Sequence, residues 1–152
     1  MSISAPKSMT VEQMTLTWQF EVDRLRVLLI APTIGWLAVG FNTQPGLTGT
    51  CLIMGAMLAN QRVRVEEHAI LQPGDHRSKN RLGLADRVHS AAGYQNAGET
   101  QITFMLPLHA SAGDDYSFDL VEGQPYHITL AYSRETDFNH HSMMRTEVAI
   151  RL

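Results

Sequence analysis

The chain has 152 residues, 44% hydrophobic and 18% charged, with a formal net charge of −3. That composition suits one globular domain with a substantial core and excludes a disordered chain. The slight acidity gives no electrostatic basis for binding nucleic acid or an anionic membrane surface, and no apolar run approaches the roughly 20 residues that span a bilayer.

Residues 1–12 are polar and mixed and read as a flexible N-terminal arm ahead of one domain over 13–152. They hold no apolar stretch of the secretory-signal kind. Gln13 to Phe20 alternates, with Met14, Leu16, Trp18 and Phe20 on one face, and predicts a half-buried strand. After a turn at Glu21–Asp23, Leu25 to Ile30 should pair with it as a hairpin. Ala31 to Asn42, A-P-T-I-G-W-L-A-V-G-F-N, has no charge and is apolar on both parities, so it predicts a central strand buried on both faces. Gly35 and Gly40 mark a bend or a close approach, and the strand could floor a ligand pocket.

A glycine-bearing loop over 42–49 leads to an apolar strand, Thr50 to Leu58, with Met54 and Met57 on opposite parities. Cys51, the only cysteine, lies in this strand and reads as a buried structural thiol. Arg62 to Glu67 alternates charge with valine, leaving one face to water. Leu71 to Leu84 is irregular, carries the turn Pro73-Gly74-Asp75, and has the length of a functional loop. Asp86 to Tyr94 is a weakly patterned strand. Thr100 to Leu106, Tyr126 to Tyr132 and Arg145 to Leu152 alternate well, with loops over 110–123 and 134–142 between them. Eight to ten short strands and no long amphipathic helix predict an all-β antiparallel sandwich.

The chemistry-bearing residues are seven histidines: 68, 76, 89, 109, 127, 140 and 141. There is no HExxH, CxxC, phosphate-binding glycine loop or G-x-S-x-G, so a binding module is expected rather than an enzyme. His140 and His141 are adjacent in a loop and point opposite ways if extended. His76 follows the Pro73-Gly74-Asp75 turn. His68, His89 and His109 carry no spacing signal. A methionine in an apolar run is usually core filler, but His with Met, or His with His, is the axial-ligand chemistry of haem. The absence of CxxCH excludes covalent haem attachment.

The order of these motifs resembles a DOMON domain. G-W-L-A-V-G-F-N after A-P-T, then a glycine loop and an apolar strand, is similar to the first half of that family. G-E-T-Q-I-T-F-M-L-P-L, G-Q-P-Y-H-I-T-L-A-Y and F-N-H-H-S-M-M-R-T-E-V-A-I are similar to the second. The resemblance implies an immunoglobulin-like β-sandwich that binds haem b or sugars. Its haem-binding members use one Met and one His as axial ligands. They pass electrons to redox partner domains or membrane b-type cytochromes, mostly outside the cytoplasm. Carried over, the histidine falls on His141, with His140 one residue away. The family methionine falls on Leu47, in P-G-L-T-G, and leucine cannot ligate iron. His76, in Q-P-G-D-H-R-S, is then the first substitute ligand and Met54 the second, with Trp36 as pocket wall. Five-coordinate iron on His141 alone also remains open. The alternative is a metal-free carbohydrate or small-ligand module, with Trp18, Trp36, Tyr94 and Tyr132 as stacking surfaces, or an accessory subunit whose role is to form an interface.

Overall fold

The computed structural model describes residues 3–152. In chain order the strands are β1 (Lys7–Val11), β2 (Met14–Glu21), β3 (Arg24–Ala31), β4 (Leu37–Asn42), β5 (Cys51–Met57) and β6 (Val63–Gln72). They continue with β7 (Asp75–Ser78), β8 (His89–Asn96), β9 (Glu99–Pro107), β10 (Pro125–Tyr132) and β11 (Met144–Arg151). One 3-10 turn, Asn80–Leu82, follows β7. All pairings are antiparallel, in a five-stranded sheet ordered β1-β2-β3-β9-β8 and a six-stranded sheet ordered β11-β10-β4-β5-β6-β7. The β-sandwich expected from the alternating patterns is the fold.

Two strands were not anticipated. Lys7–Val11, placed by the sequence in a loose arm, is an edge strand paired with β2 from Val11↔Met14 to Lys7↔Trp18. The hairpin loop is Glu12-Gln13, both at positive φ (52° and 67°). That is the type I′ pattern usually signalled by Asn-Gly, and here neither residue signals it. Asp75–Ser78 is the second, in a stretch expected to be irregular. β6 runs on through Gln72, Pro73-Gly74 turns the chain with Gly74 at φ 81°, and β7 returns.

The core lies between the sheets. Leu16, Leu25, Leu29, Ile102 and Phe104 of one sheet meet Leu37, Val39, Phe41, Ile53, Ile128 and Leu130 of the other. β4 sits between β10 and β5 and all six of its residues are buried, as its double-sided apolar pattern requires. Its alternate residues look outward. Ala38 joins Trp36, Leu52, Met54, Ala56, Ile70, Ala131 and Phe138 in a second apolar cluster on the far side of the six-stranded sheet. The lead-in to β4 is a bent connection rather than strand, and Ile34 is exposed. A side chain at Gly35 would run into the carbonyl oxygen of Ser133 and the backbone of Arg134 and Glu135. Glycine there lets the 133–143 loop pass across β4. Hydrogen bonds secure the crossing: Ser133 N–H to the Trp36 carbonyl at 2.9 Å and Trp36 N–H to the Glu135 carbonyl at 3.0 Å.

At the β6 side of the interior, charge replaces apolar packing. Glu67 is fully buried and accepts from the Arg87 guanidinium (2.6 and 3.0 Å), the Arg87 backbone N–H (2.9 Å) and the Cys51 thiol (3.2 Å). Lys79, also fully buried, donates to Asp114 at 2.5 Å and lies 3.4 Å from Glu67. Burial alone would raise the Glu67 carboxyl, but the Arg87 hydrogen bonds and the charges of Arg87 and Lys79 hold it below the ordinary range. Burial first, and then the charge of Glu67, push the Cys51 thiol far up, so it is protonated and inert. Lys79 follows β7 directly, so this network ties the end of that strand to the interior.

Candidate functional site

The second apolar cluster is the floor of a cleft of about 180 Å³ on the outer face of the six-stranded sheet. Trp36, Ala38, Leu52, Met54 and Ala131 come up from β4, its lead-in, β5 and β10. Leu47 comes from the loop after β4, His76 from β7, and His140, His141 and Arg145 from the 133–143 loop and β11. The cleft thus brings together Trp36, Leu47, Met54, His76 and His141, which the sequence had drawn from five separate segments.

Each side chain is positioned by a local rule. Met54 and Leu52 look outward because Ile53 and Cys51 look inward (period 2). Leu47 is set by Asn42, whose side-chain N–H group donates to the Thr48 carbonyl and the Thr50 hydroxyl (3.0 and 3.2 Å) and so closes the 43–49 loop. Phe138, only 3% exposed, anchors the 133–143 loop against the cluster. The Arg64 guanidinium covers its ring at 4.2 Å, and the His68 ring meets it edge-on at 5.8 Å.

His140 and His141 are exposed at the rim. His140 Nδ1 is 3.1 Å from the His141 carbonyl. A carbonyl only accepts, so this contact puts a proton on Nδ1. Trp36 Nε1 is buried with no acceptor among the described residues. The exposed Arg145 has no ion pair among them either.

Behind His76 stands a pair the sequence did not single out. His68, nearly fully buried, places Nδ1 3.0 Å from His76 Nδ1 and Nε2 3.0 Å from Glu66 Oε1. Burial lowers the pKa of both imidazoles. At His68 the Glu66 carboxylate opposes this, and at His76 the repulsion that a second protonated ring at His68 would exert adds to it. Burial would raise Glu66, but hydrogen bonds from Arg64 and His68 overcome it and keep Glu66 ionised. The available signal was parity: His68 shares the outward face of β6 with Glu66 and Ile70.

The proposed stacking surfaces do not assemble. Trp18 and Tyr132 sit at inward-facing positions and are buried in the main core, and Tyr94 is exposed on β8 of the other sheet. Of the four, only Trp36 reaches the cleft.

Among solved structures, the cytochrome b domain of pyranose dehydrogenase from Coprinopsis cinerea superposes with a TM-score of 0.59 at 8% identity, covering 91% of this chain and 76% of that one. That likeness shows a shared fold. No curated protein matches the sequence. The profile of the DOMON domain matches residues 10–133, stopping short of the loop with His140 and His141. With that match over most of its length, and with the sandwich the family implies, the chain belongs to the DOMON domain family.

Proposed function

We propose that the chain is a binding module, not an enzyme, that takes haem b non-covalently into this cleft and serves in electron transfer or haem sensing. The observation that carries the reading is the convergence of His76, His140, His141 and Met54 on one apolar hollow. The residues fit the group. Imidazole and thioether are haem-iron donors, the floor is apolar, and Arg145, without an ion pair among the described residues, stands at the rim for a carboxylate-bearing edge. Leu47 offers no donor, so His141, or its neighbour His140, together with His76 would hold the iron. When bound, haem would supply a one-electron couple whose potential the axial ligands and the dry floor tune. The hollow is smaller than the roughly 300–1,000 Å³ of ordinary small-molecule sites. Uptake therefore goes with outward movement of the 133–143 loop that Phe138 holds. A redox partner domain or a membrane b-type cytochrome, outside the cytoplasm, is the partner this reading calls for.

The small hollow, and Leu47 where a family methionine would stand, favour a second reading: a metal-free site for a small ligand. Haem titration separates the two. The first expects a Soret band that is lost or shifted in His76→Ala and in the His140→Ala/His141→Ala double variant. A protein that gives no Soret band with haem refutes it, and a band unchanged in all these variants refutes the ligand assignment.

A further inference from the structure

Glu66, His68 and His76 form a hydrogen-bonded line that ends at the cleft. Glu66 Oε1 is 3.0 Å from His68 Nε2, and His68 Nδ1 is 3.0 Å from His76 Nδ1. The register places them. His68 pairs with Ser78 and Ile70 with His76 across β6 and β7, so the two imidazoles are diagonal neighbours on the outward face. Arg64 Nε donates to the other Glu66 oxygen at 2.8 Å, which fixes the carboxylate at the head of the line.

The direction of the protons follows from the donor and acceptor inventory. An ionised carboxylate only accepts, so His68 must carry its proton on Nε2. A neutral His68 then has a lone pair on Nδ1. Two Nδ1 atoms 3.0 Å apart need one proton between them, and only His76 can supply it. A neutral His76 with its proton on Nδ1 has Nε2 bare. His76 lines the cleft and His68 does not; its Nδ1 is taken by His68, so Nε2 is the nitrogen a ligand could reach, with the Phe138 backbone carbonyl as the competing hydrogen-bond partner of the ring.

We propose that Glu66 and His68 are positioning residues that lock His76 into the Nδ1–H tautomer and present its Nε2 lone pair to the cleft. The inference rests on the haem reading for the identity of the ligand, but the tautomer belongs to the protein alone. A carboxylate–imidazole pair behind a ligating histidine orients the ring and raises its basicity, and losing such support typically weakens metal binding about 10- to 100-fold.

Two-bond proton–nitrogen correlation spectra of the 15N-labelled, ligand-free protein at mildly alkaline pH read the tautomers directly. The expected pattern is Nε2–H for His68 and Nδ1–H for His76. Glu66→Ala should return both rings to mixed tautomers without unfolding the domain, because Glu66 is only half-buried. In haem titrations His68→Leu should weaken binding about 10- to 100-fold. His68→Asn, whose side-chain oxygen can accept where Nδ1 does, should restore most of it. His76 found as the Nε2–H tautomer in the unaltered protein overturns the proposal, as does full-strength haem binding by His68→Leu. If His68→Leu does not fold, haem titration of Glu66→Ala takes its place, with undiminished binding as the overturning result. If the unaltered protein takes no haem, the haem reading fails, and the tautomer spectra alone decide the role of Glu66 and His68.

Discussion

Replacing Glu67 by glutamine tests the reasoning about the buried charges. The Glu67 and Lys79 side chains have no exposure, and that of Arg87 is 9% exposed. The substitution removes the one anion that Arg87 contacts among the described residues, while Lys79 keeps Asp114. A charge left without its partner inside a protein costs about 3–5 kcal/mol. At about 2–4 °C per kcal/mol for a domain of this size, the melting temperature should fall by about 6–20 °C. Arg77→Ala is the control. It breaks the exposed pair with Asp75 and should cost no more than about 1 kcal/mol. Acid adds a second arm. The folded Glu67 carboxyl is held below the ordinary 4.5 of a glutamate. Its contribution is therefore complete above that value and is lost as pH falls through the lower folded value. Glutamine does not titrate, so the gap between the two proteins in urea unfolding should close across that acidic window. A loss below about 1 kcal/mol, or a gap unchanged by acid, would refute the account.

Gly35→Ala should displace the 133–143 loop, because the new methyl has backbone in its way. The overpacking should cost about 1–3 kcal/mol in thermal unfolding, and the spectra of His140 and His141 should shift with it. Unchanged spectra and stability would show that the loop does not depend on the glycine. Phe138→Ala should free the same loop. A loss of about 3 kcal/mol, roughly a hundredfold in the opening equilibrium, should make residues 133–143 the first site of limited proteolysis, with the rest of the domain intact. A cleavage rate equal to that of the unaltered protein would deny Phe138 its anchoring role. Cys51, buried and protonated, should resist thiol reagents until the protein unfolds; labelling of the native protein at the rate of a free thiol would contradict its place in the core.

Period-2 alternation made most of the sandwich legible. It marked the inward faces of β2, β3, β9 and β10, and the uncharged run through Trp36 and Phe41 marked the central strand. β1 escaped because Glu12-Gln13 takes positive φ without Gly or Asn, and β7 because four residues after a Pro-Gly turn are too few to show a period. The cleft was half legible. Resemblance picked out Leu47 and His141, and loop character picked out His76, but nothing in the sequence says that Met54 and His76 face the same space. That depends on sheet order. His68 was passed over for the same reason, since a cross-strand diagonal exists only once the β6–β7 register is known. The ion network was hidden because Glu67, Lys79, Arg87 and Asp114 lie in four segments, each resembling ordinary surface charge.

β4 and β5 each serve two neighbourhoods with alternate residues, the sandwich interior with one set and the cleft with the other. Substitution and insertion should therefore have very different consequences. Exchanging Ala38, Leu52 or Met54 changes the lining of the cleft and leaves Val39 and Ile53 where they were, so the site can be respecified while the domain keeps its shape. A single residue inserted into either strand would swap the two sets, sending the cleft lining inward and the core outward. Deep mutational scanning should show this as broad tolerance of replacement at the outward positions beside near-total intolerance of length change in the same strands.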